Sequence, residues 1–177
     1  MSRVNLQTQL APTASQLLLN QIQQVFGMTP NMFKAVANAP AALQSMWSAF
    51  GALGNGTLDA KLGEQIAVAI ANRNRCDYCL AAHTVLGQKA GASAVEMSAA
   101  QVGQSNDAKT AAALAFALKV VEQRAQIVDA DVANLREAGF GDEQIVEIMA
   151  HVALNLFTNY VNVAFDVPVD FPKVALK

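Results

Sequence analysis

Two cysteines, a histidine and a glutamate are spaced so that they could carry out sulfur chemistry together. Cys76 and Cys79 are the two cysteines of the sequence and form one C-x-x-C motif, with His83 after it and Glu64 before it. Residues three apart in a helix have Cα atoms roughly 5 Å apart, within the range that a disulfide can bridge. His83 falls on the same helical face one turn later. The spacing therefore predicts a thiol pair beside a histidine.

Three interpretations of the thiols remain open from the residues alone. They could be inert core residues, since free cysteine is often buried. They could bind zinc with His83 and Glu64, although structural zinc sites usually combine two such half-sites or use a second histidine. They could form a redox pair, which the position of Cys76, Cys79 and His83 on one helix face favours.

The start of the helix should favour a thiolate on Cys76, because the helix dipole and free N–H groups stabilise negative charge there. His83 is placed to take the proton of Cys79. A carboxylate behind the imidazole, such as that of Glu64, would hold the histidine in the useful tautomer.

A second line of polar residues follows the last predicted helix at spacings of four, four, four and three. Its members are Glu147, His151, Asn155, Asn159 and Asn162. The line fits a satisfied polar seam at a helix or subunit contact, because buried polar groups are normally hydrogen-bonded. It also fits one wall of a redox cleft, with His151 near the thiols.

The composition limits the class of protein. The chain has 177 residues, 53% of them apolar and 15% charged, with a net charge of −2. Scattered lysines and arginines argue against nucleic acid as a partner, and the apolar runs fall short of the roughly 18 residues of a membrane span. Residues 1–13 show no secretory signal pattern, so we expect a reducing cytoplasm. No cofactor is indicated.

Apolar residues recur at helical spacing almost throughout, which predicts one all-α domain over residues 1–177. Predicted helices cover residues 14–26, 31–38, 41–53, 58–74, 77–90, 94–101, 108–126, 130–138 and 142–165. We expect N-terminal helices in 1–57, a motif-bearing core in 58–91, C-terminal helices in 92–165 and an irregular tail in 166–177. The expected helix N-caps are Thr57, Ser93, Asp107 and Asp129, and Gly91 and Gly139 should end helices.

The sequence has Glu64, Cys76, Cys79 and His83 separated by eleven, two and three residues. This spacing resembles the motif of AhpD-like alkylhydroperoxidases of the carboxymuconolactone decarboxylase superfamily. The similarity is strongest over residues 58–91. The ending at residues 170–172 resembles an uncharacterised peroxidase-related branch. The resemblance implies an all-helical AhpD-like fold, a helix pair with the C-x-x-C at its core, assembled into trimers or hexamers.

By the same resemblance, Cys79 corresponds to the peroxidatic cysteine and Cys76 to its resolving partner, while His83 and Glu64 form the proton relay. AhpD has a histidine where this chain has Tyr78, which implies a shorter relay and makes Tyr78 part of the site wall. The decarboxylase itself does not rely on the thiol pair, so its name does not predict the activity.

We therefore expect a peroxidase that reduces hydroperoxides with its thiol pair and is regenerated by an external dithiol of unknown identity. The sequence does not indicate the lipoamide-carrying partner of AhpD. A general disulfide oxidoreductase or redox sensor is the alternative, and a zinc-binding helical module is the third. We also expect a homo-oligomer, because apolar residues occupy more than one face of the predicted helix at 108–126 and the tail should lie at contacts.

Overall fold

The computed structural model describes residues 2–8 and 11–177, and this part of the chain contains helices and no strand. The all-α prediction is therefore confirmed. The helices of the described residues are α1 (Thr13–Phe26), α2 (Asn31–Val36), α3 (Pro40–Leu53), α4 (Ala60–Arg73), α5 (Asp77–Lys89), α6 (Ala94–Ala100), α7 (Ala108–Glu122), α8 (Asp129–Glu137) and α9 (Asp142–Ala164).

Most helix ends follow local sequence signals. Ser93 accepts a hydrogen bond from the Glu96 backbone N–H, and the Glu96 side chain accepts one from the Ser93 N–H, which makes a reciprocal cap at the start of α6. Asp107 caps α7 as predicted. Gly91 and Gly139 follow α5 and α8 with φ of 95° and 86°, a conformation that glycine adopts without strain.

Two predicted caps are wrong. The N-cap of α4 is Asp59, which accepts a hydrogen bond from the Leu62 N–H at 3.3 Å. Thr57 instead donates its backbone N–H to the carboxylate of Glu147 at 2.9 Å, so a contact with α9 overrides the local signal. At α8 the N-cap is Val128, and Asp129 is the first residue inside the helix.

Helix α4 lies at the centre of the molecule. It packs against α5, α6, α7 and α9. Its residues from Gln65 to Ala71 are all buried, and those after Gln65 are apolar on every face of the helix. The carboxylate of Glu64, one residue before this stretch, is therefore carried on a helix fixed from several sides.

The end of α4 fixes the position of the thiol pair. Arg75 adopts a left-handed φ of 57°, and the Cys76 N–H bonds the Ala71 carbonyl at 2.9 Å while the Arg75 N–H bonds that of Asn72 at 3.1 Å. This pair of bonds is the Schellman arrangement that commonly ends helices. The chain turns back so tightly that α5 packs along α4 with Cys76 at its start.

Helix α7 does not provide the exposed apolar faces expected from its sequence. Leu114, Phe116 and Val120 are buried, and Leu118 and Val121 are half-buried against the same core. Neighbouring helices of the same chain therefore cover its faces, so this helix gives no support to an oligomer. None of the helices in the described residues is both long and apolar enough to span a bilayer.

The irregular tail packs on its own chain. Phe171 lies edge-on against Tyr78, with ring centroids 5.7 Å apart. The ammonium of Lys177 donates to the carbonyl of Ser98 at 2.9 Å, and its backbone N–H donates to the side chain of Asn72 at 2.9 Å. Contacts within the same chain therefore account for the position of the tail, and its predicted contacts with other subunits stay a prediction.

Candidate active site

The two thiols lie together at the start of α5. Cys76 is the N-cap residue, and its Sγ accepts a hydrogen bond from the backbone N–H of Cys79 at 3.3 Å. Both cysteines are free, with 1% and 2% of their surfaces exposed. Burial at this level protects a thiol from bulk reagents, so any reaction must use openings in the protein.

The two thiols differ in acidity, and in the opposite sense to the one expected from the helix start. Burial alone would raise the pKa of Cys79, but the hydrogen bond from Cys76, the charge of His83 and the nearby amides of α9 outweigh it and lower this pKa to about 7. The hydrogen bond to Cys79, burial and the proximity of the Cys79 charge raise the pKa of Cys76. Cys79 is therefore the thiolate of the pair near neutral pH.

His83 connects Cys79 to the carboxylate of α4. Its Nδ1 lies 2.7 Å from Oε2 of Glu64, and the ring is buried. Burial alone would lower the pKa of His83, but the charge and hydrogen bond of Glu64 and the charge of Cys79 outweigh burial and raise it. The contact with Glu64 thus favours the charged form of an imidazole that lies near the sulfur that most readily becomes an anion.

Helix α9 supplies amide groups to the same sulfur. The Nδ2 of Asn162 donates to Sγ of Cys79 at 3.1 Å. Asn159 is fully buried, and its Oδ1 accepts a hydrogen bond from Nδ2 of Asn74 at 3.0 Å, which ties α9 to the link before α5. Its own Nδ2 has no hydrogen-bond partner among the described residues but lies close enough to Cys79 to favour the thiolate.

The contact of Asn162 with sulfur is the functional feature that sequence reasoning missed. The polar line along α9 includes Asn162, and its helical spacing predicts one shared face. That spacing carries no information about which member meets a residue 83 positions earlier in the chain. In the structure the line divides: Glu147 bonds the loop before α4, whereas the two distal asparagines reach the thiol.

The two residues expected in the site wall have different positions. Tyr78 is buried beside the thiols, and its hydroxyl accepts a hydrogen bond from the Met32 N–H at 3.2 Å. Burial raises the pKa of Tyr78, so the phenol stays neutral. His151 packs against Gly63 of α4, within electrostatic range of Glu64 and His83. Burial lowers the pKa of His151, and its ring does not line the cavity at Cys79.

An apolar cavity of about 40 Å³ reaches Cys79 and His83. Its wall is formed mainly by aromatic and aliphatic side chains from α1 to α3, α5 and the tail: Phe26, Met32, Phe33, Phe50, Leu86 and Phe171. Phe33 and Phe50 are therefore more than core residues, since they also line the cavity that reaches Cys79. A molecule in this cavity would meet Cys79 in a setting with little competing water.

The side chains of the described residues offer no group of three or more His, Cys, Asp and Glu arranged to hold a metal ion. One ring nitrogen of His83 is already engaged with Glu64. The geometry therefore gives no support to the zinc-binding alternative.

The model of the carboxymuconolactone decarboxylase family matches residues 37–123, the segment that contains Glu64, Cys76, Cys79 and His83. The fold is also that of an uncharacterised peroxidase-related protein with an alkylhydroperoxidase AhpD core from Ralstonia eutropha JMP134. The two chains share 26% identity over 96% of this chain and 92% of the other, with a TM-score of 0.87. The family-model match and the structural neighbours together support the AhpD-like carboxymuconolactone decarboxylase superfamily.

Other solved members of this fold differ in described activity. An uncharacterised peroxidase-related protein from Silicibacter sp. TM1040 is 27% identical over 98% of this chain and 92% of that one, with a TM-score of 0.83. The debrominase Bmp8, solved with 2,3,4-tribromopyrrole, is 22% identical over 95% and 91%, with a TM-score of 0.80, a likeness of fold alone. A comparison with functionally curated proteins found no match.

Proposed function

We propose that the protein is a thiol-dependent hydroperoxide reductase in which Cys79 is the nucleophile. The observation that most supports this role is the hydrogen bond that Sγ of Cys79 accepts from Nδ2 of Asn162 at 3.1 Å. It agrees with a lowered pKa of Cys79 beside a raised pKa of Cys76. A thiolate reacts with peroxide and a thiol does not, so the more acidic sulfur at the end of a cavity is the better candidate. The superfamily and its peroxidase-related members agree with this class of chemistry.

In the first step the thiolate of Cys79 attacks the terminal oxygen of the hydroperoxide. The O–O bond breaks, Cys79 becomes a sulfenic acid, and the alkoxide leaves with the bonding electron pair. His83 donates a proton to the alkoxide, which leaves as the alcohol. Glu64 keeps the imidazole oriented and balances its charge through the 2.7 Å contact.

In the second step Cys76 resolves the sulfenic acid. Its sulfur attacks Sγ of Cys79, the S–O bond breaks, and hydroxide leaves as water with the proton from the Cys76 thiol. The product is a Cys76–Cys79 disulfide. An external dithiol then reduces the disulfide and returns both residues to thiols. The short backbone separation between the N-cap and the first turn of α5 suits this closure.

The cavity favours organic hydroperoxides with a compact apolar group over long or charged ones. Apart from His83 and Cys79, its wall carries no side chain that is charged near neutral pH, so a charged group on the substrate would lose hydration without gaining a partner. Hydrogen peroxide fits by size but gains nothing from the aromatic wall. We therefore expect an alkyl hydroperoxide to react faster than hydrogen peroxide.

Peroxide consumption with a thiol balance tests the proposal. Fully reduced protein should lose two thiols for each equivalent of tert-butyl hydroperoxide and release one equivalent of alcohol, and Cys79→Ser should release none. A reduced protein that ignores peroxide but exchanges rapidly with protein disulfides would instead be a general oxidoreductase. Release of bromide from 2,3,4-tribromopyrrole without peroxide turnover would favour the chemistry of the debrominase relative.

A further inference from the structure

Residues 168–172 of the tail form one side of the cavity that reaches Cys79. Phe171 lines this cavity and is itself only half-buried, so the segment lies between the cavity and solvent. Pro168 and Pro172 stand at its two ends, and proline restricts both its own backbone and that of the residue before it. We call this short, stiff segment the flap.

The flap is anchored on both sides but not along its own backbone. Before it, the Val167 N–H donates to the carbonyl of Asn162 at 3.0 Å. After it, the carbonyl of Ala175 accepts a hydrogen bond from Nε2 of Gln101 at 2.8 Å. Within the described part of the chain, residues 168–172 make no backbone–backbone hydrogen bond. The flap can therefore move without breaking either anchor or any element of secondary structure.

Asp170 holds the flap against the start of α2. Its Oδ2 accepts a hydrogen bond from the Asn31 N–H at 2.8 Å, and Nδ2 of Asn31 donates to the carbonyl of Pro168 at 3.1 Å. The edge-on contact of Phe171 with Tyr78 holds the flap on the other side. The second oxygen of Asp170, Oδ1, is buried and has no hydrogen-bond partner among the described residues, which opposes closure.

The closed cavity is too small for an alkyl hydroperoxide. Its volume is about 40 Å³, whereas an apolar cavity of roughly 150 Å³ is needed to hold benzene. A tert-butyl or cumyl group therefore cannot reach Cys79 until part of the wall moves. Most of the wall belongs to helices, whereas Phe171 is carried by the flap. Phe171 is thus the wall residue whose displacement requires the least change elsewhere.

We propose that Phe171 and Asp170 determine which hydroperoxides reach Cys79. Phe171 closes the cavity and moves aside to admit an apolar group, and Asp170 is a positioning residue that holds Phe171 in place through the hydrogen bond with the Asn31 N–H. The choice of substrate rests on the proposed function, whereas the access of Cys79 to any reagent does not. Hydrogen peroxide is small enough for the closed cavity, so its reaction should not depend on the flap.

The first test shortens Phe171 and compares two peroxides of different size. Phe171→Ala should raise the rate at which the reduced protein reacts with cumene hydroperoxide about fivefold or more, and leave the rate with hydrogen peroxide within about twofold of the wild type. Lys173→Ala is the matched control, since Lys173 is exposed in the same tail and does not line the cavity. Equal changes with both peroxides, or none, would overturn the assignment.

The second test releases the flap without changing the cavity wall. Asp170→Ala removes the acceptor of the Asn31 N–H and should shift the ratio of the two rates in the same direction as Phe171→Ala. Asp170→Asn keeps an acceptor oxygen at that place and should retain the wild-type ratio. A merely structural role for Asp170 would change both rates together, and an altered ratio in Asp170→Asn would contradict the role of the hydrogen bond.

Alkylation of the thiol measures access without any peroxide. The reduced proteins are treated with iodoacetamide, which is small, or N-phenylmaleimide, which is bulky, and fragmentation mass spectrometry separates label on Cys79 from label on Cys76. Both alanine variants should speed labelling of Cys79 by N-phenylmaleimide about fivefold or more, with iodoacetamide changed less than about twofold. Circular dichroism verifies folding, and Phe171→Leu replaces Phe171→Ala if the alanine variant unfolds.

The two assays separate the failure of this proposal from the failure of the proposed function. A wild-type protein that consumes no peroxide would refute the proposed function, and the alkylation rates would still decide whether the flap controls access to Cys79. A wild-type protein that consumes cumene hydroperoxide, with unchanged ratios and labelling rates in both alanine variants, would refute the flap alone.

Discussion

Replacing Asn162 with leucine tests whether α9 activates the nucleophile. Leucine has the same branching and number of side-chain heavy atoms but no donor, so Asn162→Leu removes the 3.1 Å hydrogen bond to Sγ of Cys79. The bond stabilises the thiolate, so its loss favours the protonated thiol and raises the pKa of Cys79. A hydrogen bond to a charged group contributes about 1.5–3 kcal/mol, which corresponds to roughly one to two pKa units.

The consequence for rate follows from the thiolate fraction. With a pKa of about 7, half of the wild-type Cys79 is ionised at pH 7. A pKa raised to roughly 8–9 leaves about 1–10% ionised at that pH. The second-order rate of oxidation by tert-butyl hydroperoxide should therefore fall about 5- to 50-fold at pH 7 and recover most of the loss at pH 9.5.

Folding should not suffer in this variant. The Oδ1 of Asn162 is buried and has no hydrogen-bond partner among the described residues, so leucine also removes an unsatisfied acceptor. We expect the thermal unfolding midpoint of Asn162→Leu to equal or exceed that of the wild type. An asparagine kept at some expense of stability is typical of a group retained for activity.

The assay is a titration of thiolate absorbance at 240 nm, paired with stopped-flow oxidation across the same pH range. Asn155→Leu is the matched control, because Asn155 is buried on the same face of α9 but donates to the carbonyl of His151. An unchanged thiol pKa in Asn162→Leu, or a rate loss equal at pH 7 and pH 9.5, would refute the role of the amide.

Three further predictions concern the thiol pair and its relay. Cys76→Ser should react once with peroxide and leave a sulfenic acid on Cys79 that dimedone traps, and a variant unable to react even once would make Cys76 the nucleophile. His83→Ala and Glu64→Gln should slow oxidation by about 10²- to 10⁴-fold at pH 7 with partial recovery at high pH, whereas a pH-independent loss would indicate a purely structural role. The wild-type oxidation rate should rise with pH through about 7, because Cys79 deprotonates there, and a flat profile from pH 6 to 8 would contradict the lowered pKa.

Local spacing was sufficient to predict the motif and its partners. Cys76, Cys79 and His83 fall within two helical turns, so any helix at this place brings them together. The short link before Cys76 forces α5 back along α4, which brings Glu64 to His83. These contacts form within one helix or between two helices that follow each other in the sequence, so helical periodicity was sufficient to predict them.

The relative acidity of the thiols could not be predicted in this way. The helix start indicated a thiolate at Cys76, since a helix N-terminus stabilises anions. In the structure Cys76 is the cap itself, and its hydrogen bond with Cys79 and its burial raise its pKa. Cys79 gains its acidity partly from the amides of α9, whose approach depends on tertiary packing that no local pattern encodes.

The polar residues along α9 have different roles, so neither a polar seam nor a cleft wall describes all of them. At one end Glu147 accepts backbone N–H groups before α4 and serves the fold. In the middle, Asn155 is satisfied within its own helix. At the far end, Asn159 and Asn162 each have one polar atom without a hydrogen-bond partner in the described part of the chain, and their amides lie near the sulfur of Cys79. Unsatisfied buried groups are costly, so we infer that function, rather than stability, explains the two asparagines beside Cys79.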